Sequence, residues 1–216
     1  MQPLRNVRTS RAGVSGLVVA LLTIALILSM PGPARAATTY TPTGGAVSFV
    51  SSGLSFTDIE AAQTVSCGSL NLYGTVSSSG TSRAYGADMV ALSQMGSGIC
   101  NQSLCGPVTT TPVGTWTLAI TGDWTSWSVW PARLKNVRLS LSCAGCTFRL
   151  TGVINGTFHT STQRFAPVWG ASGLVVDAAV PPSGAMCVTL DILAGDTIEV
   201  GGSWTSMSSS VAISNP

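Results

Sequence analysis

Charged side chains are scarce in this sequence. Only 8% of its 216 residues are charged, and 10 Lys+Arg, 8 Asp+Glu and 1 His give a formal net charge of +2. A nucleic-acid-binding surface that works by counterion release needs a dense set of Lys and Arg side chains, so this class of protein is excluded. Hydrophobic residues make up 45% of the chain, which excludes a highly charged, disordered polypeptide.

Titratable groups are too few to favour acid–base catalysis. Lys135 and His159 are each the single residue of their type. A Ser-His-Asp site would need His159 with Asp177 or Asp191, and no G-x-S-x-G motif identifies a nucleophilic serine. Because His159 lies in a polar run, we interpret it as a surface residue. The sequence therefore predicts a protein that is not an enzyme.

Two pairs of closely spaced carboxylates keep an alternative open. Asp58 and Glu60 would project from one face of a strand, and Asp196 and Glu199 flank a predicted hairpin turn. Paired carboxylates perform glycoside hydrolysis, although Asp is also expected in turns for conformational reasons alone. A secreted hydrolase that uses carboxylates or His159 is the alternative to a non-catalytic protein.

One long apolar run is present, at the start of the chain. Arg5, Arg8 and Arg11 precede an apolar stretch over residues 14–28, and Ala34-Arg35-Ala36 follows as an A-x-A cleavage site. This pattern predicts a signal peptide over residues 1–36, a helix that is cleaved on export, with no membrane span after cleavage. We therefore expect a secreted, extracellular protein, or one associated with the cell wall of a bacterium.

The basic excess belongs to that segment. Residues 1–36 contain four arginines and no acid, so the remainder of the chain has 6 basic and 8 acidic residues. The exported protein is therefore expected to be slightly acidic and nearly uncharged for its size.

Six cysteines follow the predicted signal peptide, which in an oxidising compartment predicts three disulfides. The preferred pairing is Cys67–Cys100, Cys105–Cys143 and Cys146–Cys187, with local links Cys100–Cys105 and Cys143–Cys146 as the competitor. A zinc site would need further cysteine pairs or histidines near Cys143-Ala144-Gly145-Cys146, so we expect neither a metal nor a cofactor.

Residue alternation predicts an all-β fold. After residue 36 the chain contains 26 Ser and 23 Thr, which suit strands and turns better than helix interiors. Residues 137–143 and 146–151 alternate apolar and polar side chains around Ala144-Gly145, the clearest hairpin signal. A second hairpin is predicted over residues 186–200, with its turn at 194–196.

Further strands are predicted over residues 47–50, 70–76, 89–92, 116–120, 126–130 and 174–176. Many short strands separated by Gly, Pro and Ser predict an antiparallel β-sandwich, immunoglobulin-like or jelly-roll-like and stapled by disulfides, with a closed barrel as the alternative. We expect a flexible segment over residues 37–45 and a single domain over residues 46–216.

Among the aromatic side chains, which could stack on a ligand, tryptophan is the most abundant. Of six tryptophans, Trp116 is expected in the core, because a buried indole contributes a large apolar surface. Trp127 and Trp130 are the candidates for a surface that stacks on sugars. The basic group Arg133, Lys135 and Arg138 is interpreted as a solvated strand face.

Several short segments carry a resemblance to a known group. They are Val65-Ser66-Cys67, Gly74-Thr75-Val76, residues 114–118 and residues 146–152. In these segments, after an A-x-A signal, the chain resembles small, uncharacterised exported β-rich proteins of actinobacteria and, more distantly, the secreted alkane-oxidation activator group. The resemblance implies export and a β fold. Cys105 and Cys143 depart from the two-disulfide layout of that group.

The combined pattern predicts a non-catalytic binding or structural module at the cell surface or in the extracellular medium. Its expected partner is a component of the cell envelope or a polysaccharide, and nucleic acid is not expected. A secreted carbohydrate-binding module is an alternative to this prediction.

Overall fold

A computed structural model describes residues 37–215 of the chain. These residues belong to one compact unit. The predicted signal peptide over residues 1–36 lies outside the described residues. No helix within residues 37–215 is long and apolar enough to cross a membrane.

The described chain is almost entirely β-structure, as the alternation predicts. In chain order the elements are β1 (Thr39–Thr43), β2 (Ala46–Asp58), β3 (Gln63–Cys67), β4 (Leu70–Val76), β5 (Arg83–Ala84), β6 (Asp88–Ser97), β7 (Cys100–Gln102), β8 (Gly106–Pro112), β9 (Trp116–Ile120), β10 (Val129–Cys143), β11 (Cys146–His159), β12 (Arg164–Pro167), β13 (Gly173–Val176), the helix α1 (Ala185–Thr189), β14 (Thr197–Ser206) and β15 (Ala212–Ser214). The all-β, β-sandwich-like, disulfide-stapled class is confirmed.

Twelve of the strands form one antiparallel sheet that closes on itself. Their order is β12-β11-β13-β14-β2-β3-β7-β8-β10-β9-β6-β4, and additional pairings join β12 to β14, β11 to β10 and β2 to β4. The long strands β2, β10, β11 and β14 run through the whole molecule. We call the half that contains β3, β7, β8, β13 and α1 the disulfide half, and the half that contains β4, β6, β9 and β12 the groove half.

The first strand corrects the predicted flexible segment over residues 37–45. β1 pairs with both β15 and β5 in a separate three-stranded sheet. Tyr40 is fully buried, stacks on Tyr85 with ring centroids 5.7 Å apart, and donates a hydrogen bond to the Ala87 carbonyl at 2.7 Å. A buried aromatic ring with a satisfied hydroxyl holds this segment in place, so the ordered unit begins before residue 46.

The strongest sequence signal is confirmed as the β10–β11 hairpin. Cys143 pairs with Cys146 across the turn, and Ala144 and Gly145 both have positive φ, 43° and 84°. Two consecutive residues with positive φ form the type I′ turn that fits the twist of paired strands. The other predicted strands also lie within observed strands, except that residues 126–128 form a turn before β10 begins.

The predicted hairpin over residues 186–200 is wrong in its first half. Residues 186–192 form α1 and the turn after it, and Leu190 donates its backbone N–H to the Met186 carbonyl at 2.9 Å. The buried residues are Cys187, Leu190 and Ile192, while Val188 is exposed. Both a helix and an alternating strand would bury Leu190 and Ile192 in this short segment. Alternation alone therefore does not distinguish a helix from a strand here. Residues 198 and 200 do lie in a strand, β14.

The preferred disulfide pairing is confirmed in full. Cys67–Cys100 joins β3 to β7, Cys105–Cys143 joins the β7–β8 turn to β10, and Cys146–Cys187 joins β11 to α1. All three bonds lie in the disulfide half, and they link residues 33, 38 and 41 positions apart. Closing loops of this length restricts the unfolded chain and stabilises the fold.

Aromatic side chains fill the centre of the groove half. Phe49 and Phe158 meet edge to face with centroids 6.4 Å apart, and Phe165 lies 6.1 Å from Trp204. The Trp204 indole N–H donates to the Leu70 carbonyl at 2.7 Å, so its polar group is satisfied inside the core. This packing holds β2, β11, β12 and β14 together below the surface that carries the candidate site.

Candidate functional site

The six tryptophans divide evenly between core and surface. Trp116, Trp130 and Trp204 are buried, whereas Trp124, Trp127 and Trp169 are exposed by 53%, 86% and 60%. Trp116 is in the core, as predicted. The two candidates for one ligand-binding surface, Trp127 and Trp130, therefore do not form a common surface.

The prediction that Trp130 lies at the surface is wrong, and a β-bulge explains why. Alternation counted back from the buried Val137 places Trp130 outward. The register of β10 against β11 shifts between Leu134 and Val137, where Asn136 has a positive φ of 57°. The extra residue reverses the facing of the strand, so Trp130 points inward and is only 5% exposed.

Trp127 stands at the tip of an ordered turn. The Val129 N–H donates to the Ser126 carbonyl at 2.9 Å, and the Thr125 N–H donates to the Val129 carbonyl at 2.9 Å. Ser128 has a φ of 63°, the positive value that a type II turn requires at its third position. This turn fixes the backbone on both sides of Trp127 and directs its ring to solvent.

A shallow groove of about 370 Å³ lies beside this ring. It is lined by Trp127, Ser128, Thr160, Ser161, Gln163 and Ser210, together with residues 211–213. We call it the Trp127 groove. It combines one large exposed aromatic face with hydroxyl and amide groups, the composition of a site that binds an uncharged polar molecule with an apolar face.

Hydrogen bonds hold the walls of the Trp127 groove in place. The Ser128 and Ser161 hydroxyls are 2.8 Å apart, and the Thr160 N–H donates to the Ser128 carbonyl at 2.9 Å. The Gln163 amide both donates to the Val211 carbonyl at 3.1 Å and accepts from the Val211 N–H at 2.6 Å. The groove is therefore preorganised, which limits the ordering cost of binding.

His159 lies just outside the groove and has no carboxylate partner among the described residues. It is paired across the sheet with Val129 and Arg164, and its Nε2 lies 3.3 Å from the Thr157 hydroxyl. Asp177 instead pairs with Arg149 at 2.6 Å, and Asp191 is an exposed loop residue. The structure does not bring the three groups of the hypothetical triad together.

The carboxylates also differ from their predicted pairing. Asp58 is buried at the end of β2, whereas Glu60 is exposed and accepts the Thr197 N–H at 2.8 Å. Asp196 accepts the Leu193 N–H at 2.6 Å, and the buried Glu199 accepts the Gly170 N–H at 3.0 Å. Asp58 and Glu60 therefore do not project from one face of a strand, and Asp196 and Glu199 accept from different backbone groups.

The structure brings together one acid from each pair instead. Burial, together with the nearby carboxyl of Asp196, raises the pKa of Asp58 to about 6. One Asp58 oxygen accepts the Ala61 N–H at 2.9 Å, and the other has no partner within the described residues. Loss of solvation and a neighbouring acid both disfavour the charged form.

The interior beside Asp58 is too small for an organic ligand. A cavity of about 20 Å³ lies beside the turn that follows α1 and is lined mainly by apolar side chains, with Asp58, Gln63 and Gln102 as its polar members. This volume accommodates about one water molecule. The acid pair is therefore a feature of the folded interior, and the Trp127 groove is the candidate binding site.

The basic group predicted as a strand face lies on β10. Lys135 pairs with Asp88 at 2.6 Å, Arg133 donates to the Asn155 side chain at 2.6 Å, and Arg138 is exposed. Among residues 37–215, no three His, Cys, Asp or Glu side chains are arranged to hold a metal ion.

The other residues of the groove were missed by the sequence analysis. Ser128, Thr160, Ser161, Gln163 and Ser210 come from three separate segments, and each is an ordinary polar residue in a chain rich in Ser and Thr. The one local signal was the position of Trp127 between two serines outside any strong alternation, which is typical of a turn.

Comparison with known proteins gives no relative. The chain matches no protein-family model, no curated protein and no solved structure. The resemblance to exported actinobacterial proteins therefore stays a prediction.

Proposed function

We propose that this protein is an exported, non-catalytic binding module that recognises polysaccharide through the Trp127 groove, at the cell surface or outside the cell. The observation that carries the proposal is the exposure of Trp127, 86% in an ordered turn, beside a groove with polar walls. Three disulfides support an extracellular location.

The chemistry of the groove suits a sugar. A pyranose ring presents an apolar C–H face that packs against a flat indole, and its hydroxyls exchange hydrogen bonds with neighbouring groups. Trp127 supplies the flat face, while Ser128, Thr160, Ser161 and Ser210 supply hydroxyls on the same groove. The groove is shallow, so a bound sugar keeps part of its surface in solvent.

The groove's lining favours binding over catalysis. None of the described residues that line it is an acid, a base or a cysteine, whereas hydrolysis of a glycosidic bond needs a pair of carboxyl groups at the scissile bond. The buried Asp58 lines the interior cavity in the disulfide half of the molecule, and Asp196 precedes β14 in the same half.

Binding to insoluble polysaccharides tests the proposal. Purified protein is incubated with cellulose, chitin, xylan and isolated bacterial cell walls, and the bound fraction is measured against protein concentration. Trp127→Ala is expected to weaken binding to the preferred polymer at least tenfold, about 1.4 kcal/mol, because it removes the stacking surface while the fold is retained.

Two other exposed tryptophans provide matched controls. Trp124→Ala removes a ring from the same loop and Trp169→Ala removes one from the β12–β13 loop, and neither ring lines the groove. Both variants are expected to bind like the unmodified protein. Trp130→Ala is not a suitable control, because Trp130 belongs to the core. Equal binding by Trp127→Ala and the unmodified protein would overturn the proposal.

A further inference from the structure

A row of outward-facing side chains borders the Trp127 groove. Cross-strand pairing aligns one residue from each of four neighbouring strands: Val129 on β10, His159 on β11, Arg164 on β12 and Thr205 on β14. Their chain neighbours Trp130, Phe158, Phe165 and Trp204 are buried. Because successive residues of a strand face opposite sides of the sheet, the four aligned residues face outward.

This row is directly continuous with the groove. Three residues that line the groove, Ser128, Thr160 and Gln163, are chain neighbours of Val129, His159 and Arg164. Directly opposed residues of antiparallel strands have Cβ atoms about 5 Å apart, so His159 and Arg164 form one adjoining pair at the groove's edge. Both side chains therefore lie next to the groove in which the polysaccharide is proposed to bind.

The pair is basic, and no acidic side chain within residues 37–215 forms a salt bridge with it. Arg164 is exposed, and the two salt bridges found within residues 37–215 join Lys135 to Asp88 and Arg149 to Asp177. Two rows further along the same outer face lies Arg133, opposite Asn155.

Asp123, the acid in the loop before Trp127, is already hydrogen-bonded to other side chains. Asp123 accepts hydrogen bonds from the Tyr85 hydroxyl and from the Asn215 amide, the latter at 2.8 Å. It is therefore held toward β1, β5 and the C-terminal segment and does not pair with Arg164. The excess of basic side chains at the groove's edge contrasts with the chain after residue 36 as a whole, which contains 6 basic and 8 acidic residues.

From these observations we infer, on the basis of the proposed function, that the polysaccharide carries anionic groups, carboxylate or phosphate, which Arg164 and His159 bind while Trp127 stacks on a sugar ring. The guanidinium of arginine matches both anions through two parallel N–H donors. Arg164 is placed at the edge of the groove and keeps one face open to solvent, as recognition of a charged substituent on a polymer requires.

Paired polymers with and without charge test this inference. The probes are polygalacturonate for carboxylate, a poly(glycerol phosphate) polymer for phosphate, and neutral galactan, each at 50 mM and 500 mM NaCl. The unmodified protein is expected to bind at least one anionic polymer about tenfold more tightly than galactan at 50 mM salt. This preference is expected to shrink at 500 mM, since salt screens exposed charges.

Variants locate the effect at the groove's edge. Arg164→Gln is expected to remove most of the preference for the anionic polymer and to leave galactan binding unchanged, and His159→Gln is expected to reduce the preference by a smaller factor. Arg164→Lys retains the positive charge but loses the paired donors. Its preference for the anionic polymer is therefore expected to lie between those of the unmodified protein and Arg164→Gln. Arg138→Gln is the matched control, because Arg138 is an exposed arginine of β10 in the disulfide half.

The outcomes separate this inference from the proposed function. Equal affinity for charged and neutral polymers, or an Arg164→Gln variant with an undiminished preference, overturns the anionic ligand even when Trp127→Ala still weakens binding. Binding that Trp127→Ala leaves unchanged overturns the polysaccharide groove itself. A circular dichroism spectrum and a thermal midpoint equal to those of the unmodified protein show that each variant is folded.

Discussion

Asp58 is a buried carboxyl group whose ionisation opposes the folded state. Its pKa of about 6 in the folded protein compares with 3.8 for an ordinary aspartate, mainly because of burial and secondarily because of Asp196. The folded state thus retains a proton that the unfolded chain releases near pH 4. The stability from the neutral carboxyl is fully present below about pH 4 and is lost as the pH rises to about 6.

This linkage gives a prediction for stability against pH. The contribution of Asp58 to the free energy of unfolding is expected to fall by at most about 3 kcal/mol between pH 4 and pH 7. Urea denaturation at a series of pH values measures it. Asp58→Asn, which is neutral at every pH, is expected to lack this fall. Asp191→Asn, an exposed acid of the loop after α1, is the control. A fall of equal size in Asp58→Asn would contradict the prediction.

Individual residues also show where sequence reasoning ends. Trp116 in the core and Trp127 at the surface follow from composition and local context. The burial of Trp130 could not be predicted, because a bulge at residues 134–137 reverses the alternation and no single residue type indicates that bulge. The meeting of Asp58 with Asp196 depends on β2 lying beside β14, a contact between residues 138 positions apart that alternation does not encode.

Among the elements, β4 and β6 approach closely at a glycine. A Cβ at Gly74 would lie 1.9 Å from the Ala91 carbonyl oxygen, where the register of the two strands shifts between Tyr73 and Gly74. Backbone at that distance has to move before a side chain fits. This glycine therefore allows β4 to pair with β6 on one edge and with β2 on the other.

The close approach gives a second prediction. Gly74→Ala is expected to lower the free energy of unfolding by about 2 kcal/mol or more, in the range of core overpacking. Gly45→Ala is the control, because the atom nearest to its Cβ lies 3.8 Å away, and it is expected to change stability by less than about 0.5 kcal/mol. Denaturant titration of both variants measures the difference. Equal stabilities would show that β6 moves aside without cost.

Elements with strong local patterns could be predicted, and short ones could not. The β10–β11 hairpin was found because more than ten alternating residues surround a two-residue turn. The segment around α1 contains too few residues to distinguish alternation from helical spacing. The Trp127 groove was not predictable for a different reason: its walls come from the β9–β10, β11–β12 and β14–β15 connections, which only the closed sheet brings together.

For the whole molecule, the covalent links are distributed unevenly. The six cysteines form three disulfides in the disulfide half, and the groove half relies on packed aromatic rings and hydrogen bonds. Each loop that a disulfide closes, over 33, 38 or 41 positions, stabilises the fold by about 4 kcal/mol on the chain-entropy model. The three loops do not overlap in sequence, but all three bonds lie in the disulfide half, where neighbouring contacts couple them, so the gains are not strictly additive.

Reduction of the disulfides is therefore expected to weaken the molecule strongly. Complete reduction adds one hydrogen per cysteine, about 6 Da in total, and is expected to lower the free energy of unfolding by at least about 4 kcal/mol. Intact mass establishes that reduction is complete, and urea denaturation with and without reductant measures the loss. An unchanged denaturation midpoint in fully reduced protein would show that packing alone sustains the fold.

The closed pairing of the twelve-stranded sheet also determines how copies of the protein can meet. Each of its strands has a neighbour on both sides, so it presents no row of unpaired backbone groups to another chain. In the small sheet the two outer strands, β5 and β15, contain only 2 and 3 residues. Growth of fibrils by successive strand addition therefore lacks a long, fully open edge strand as a template.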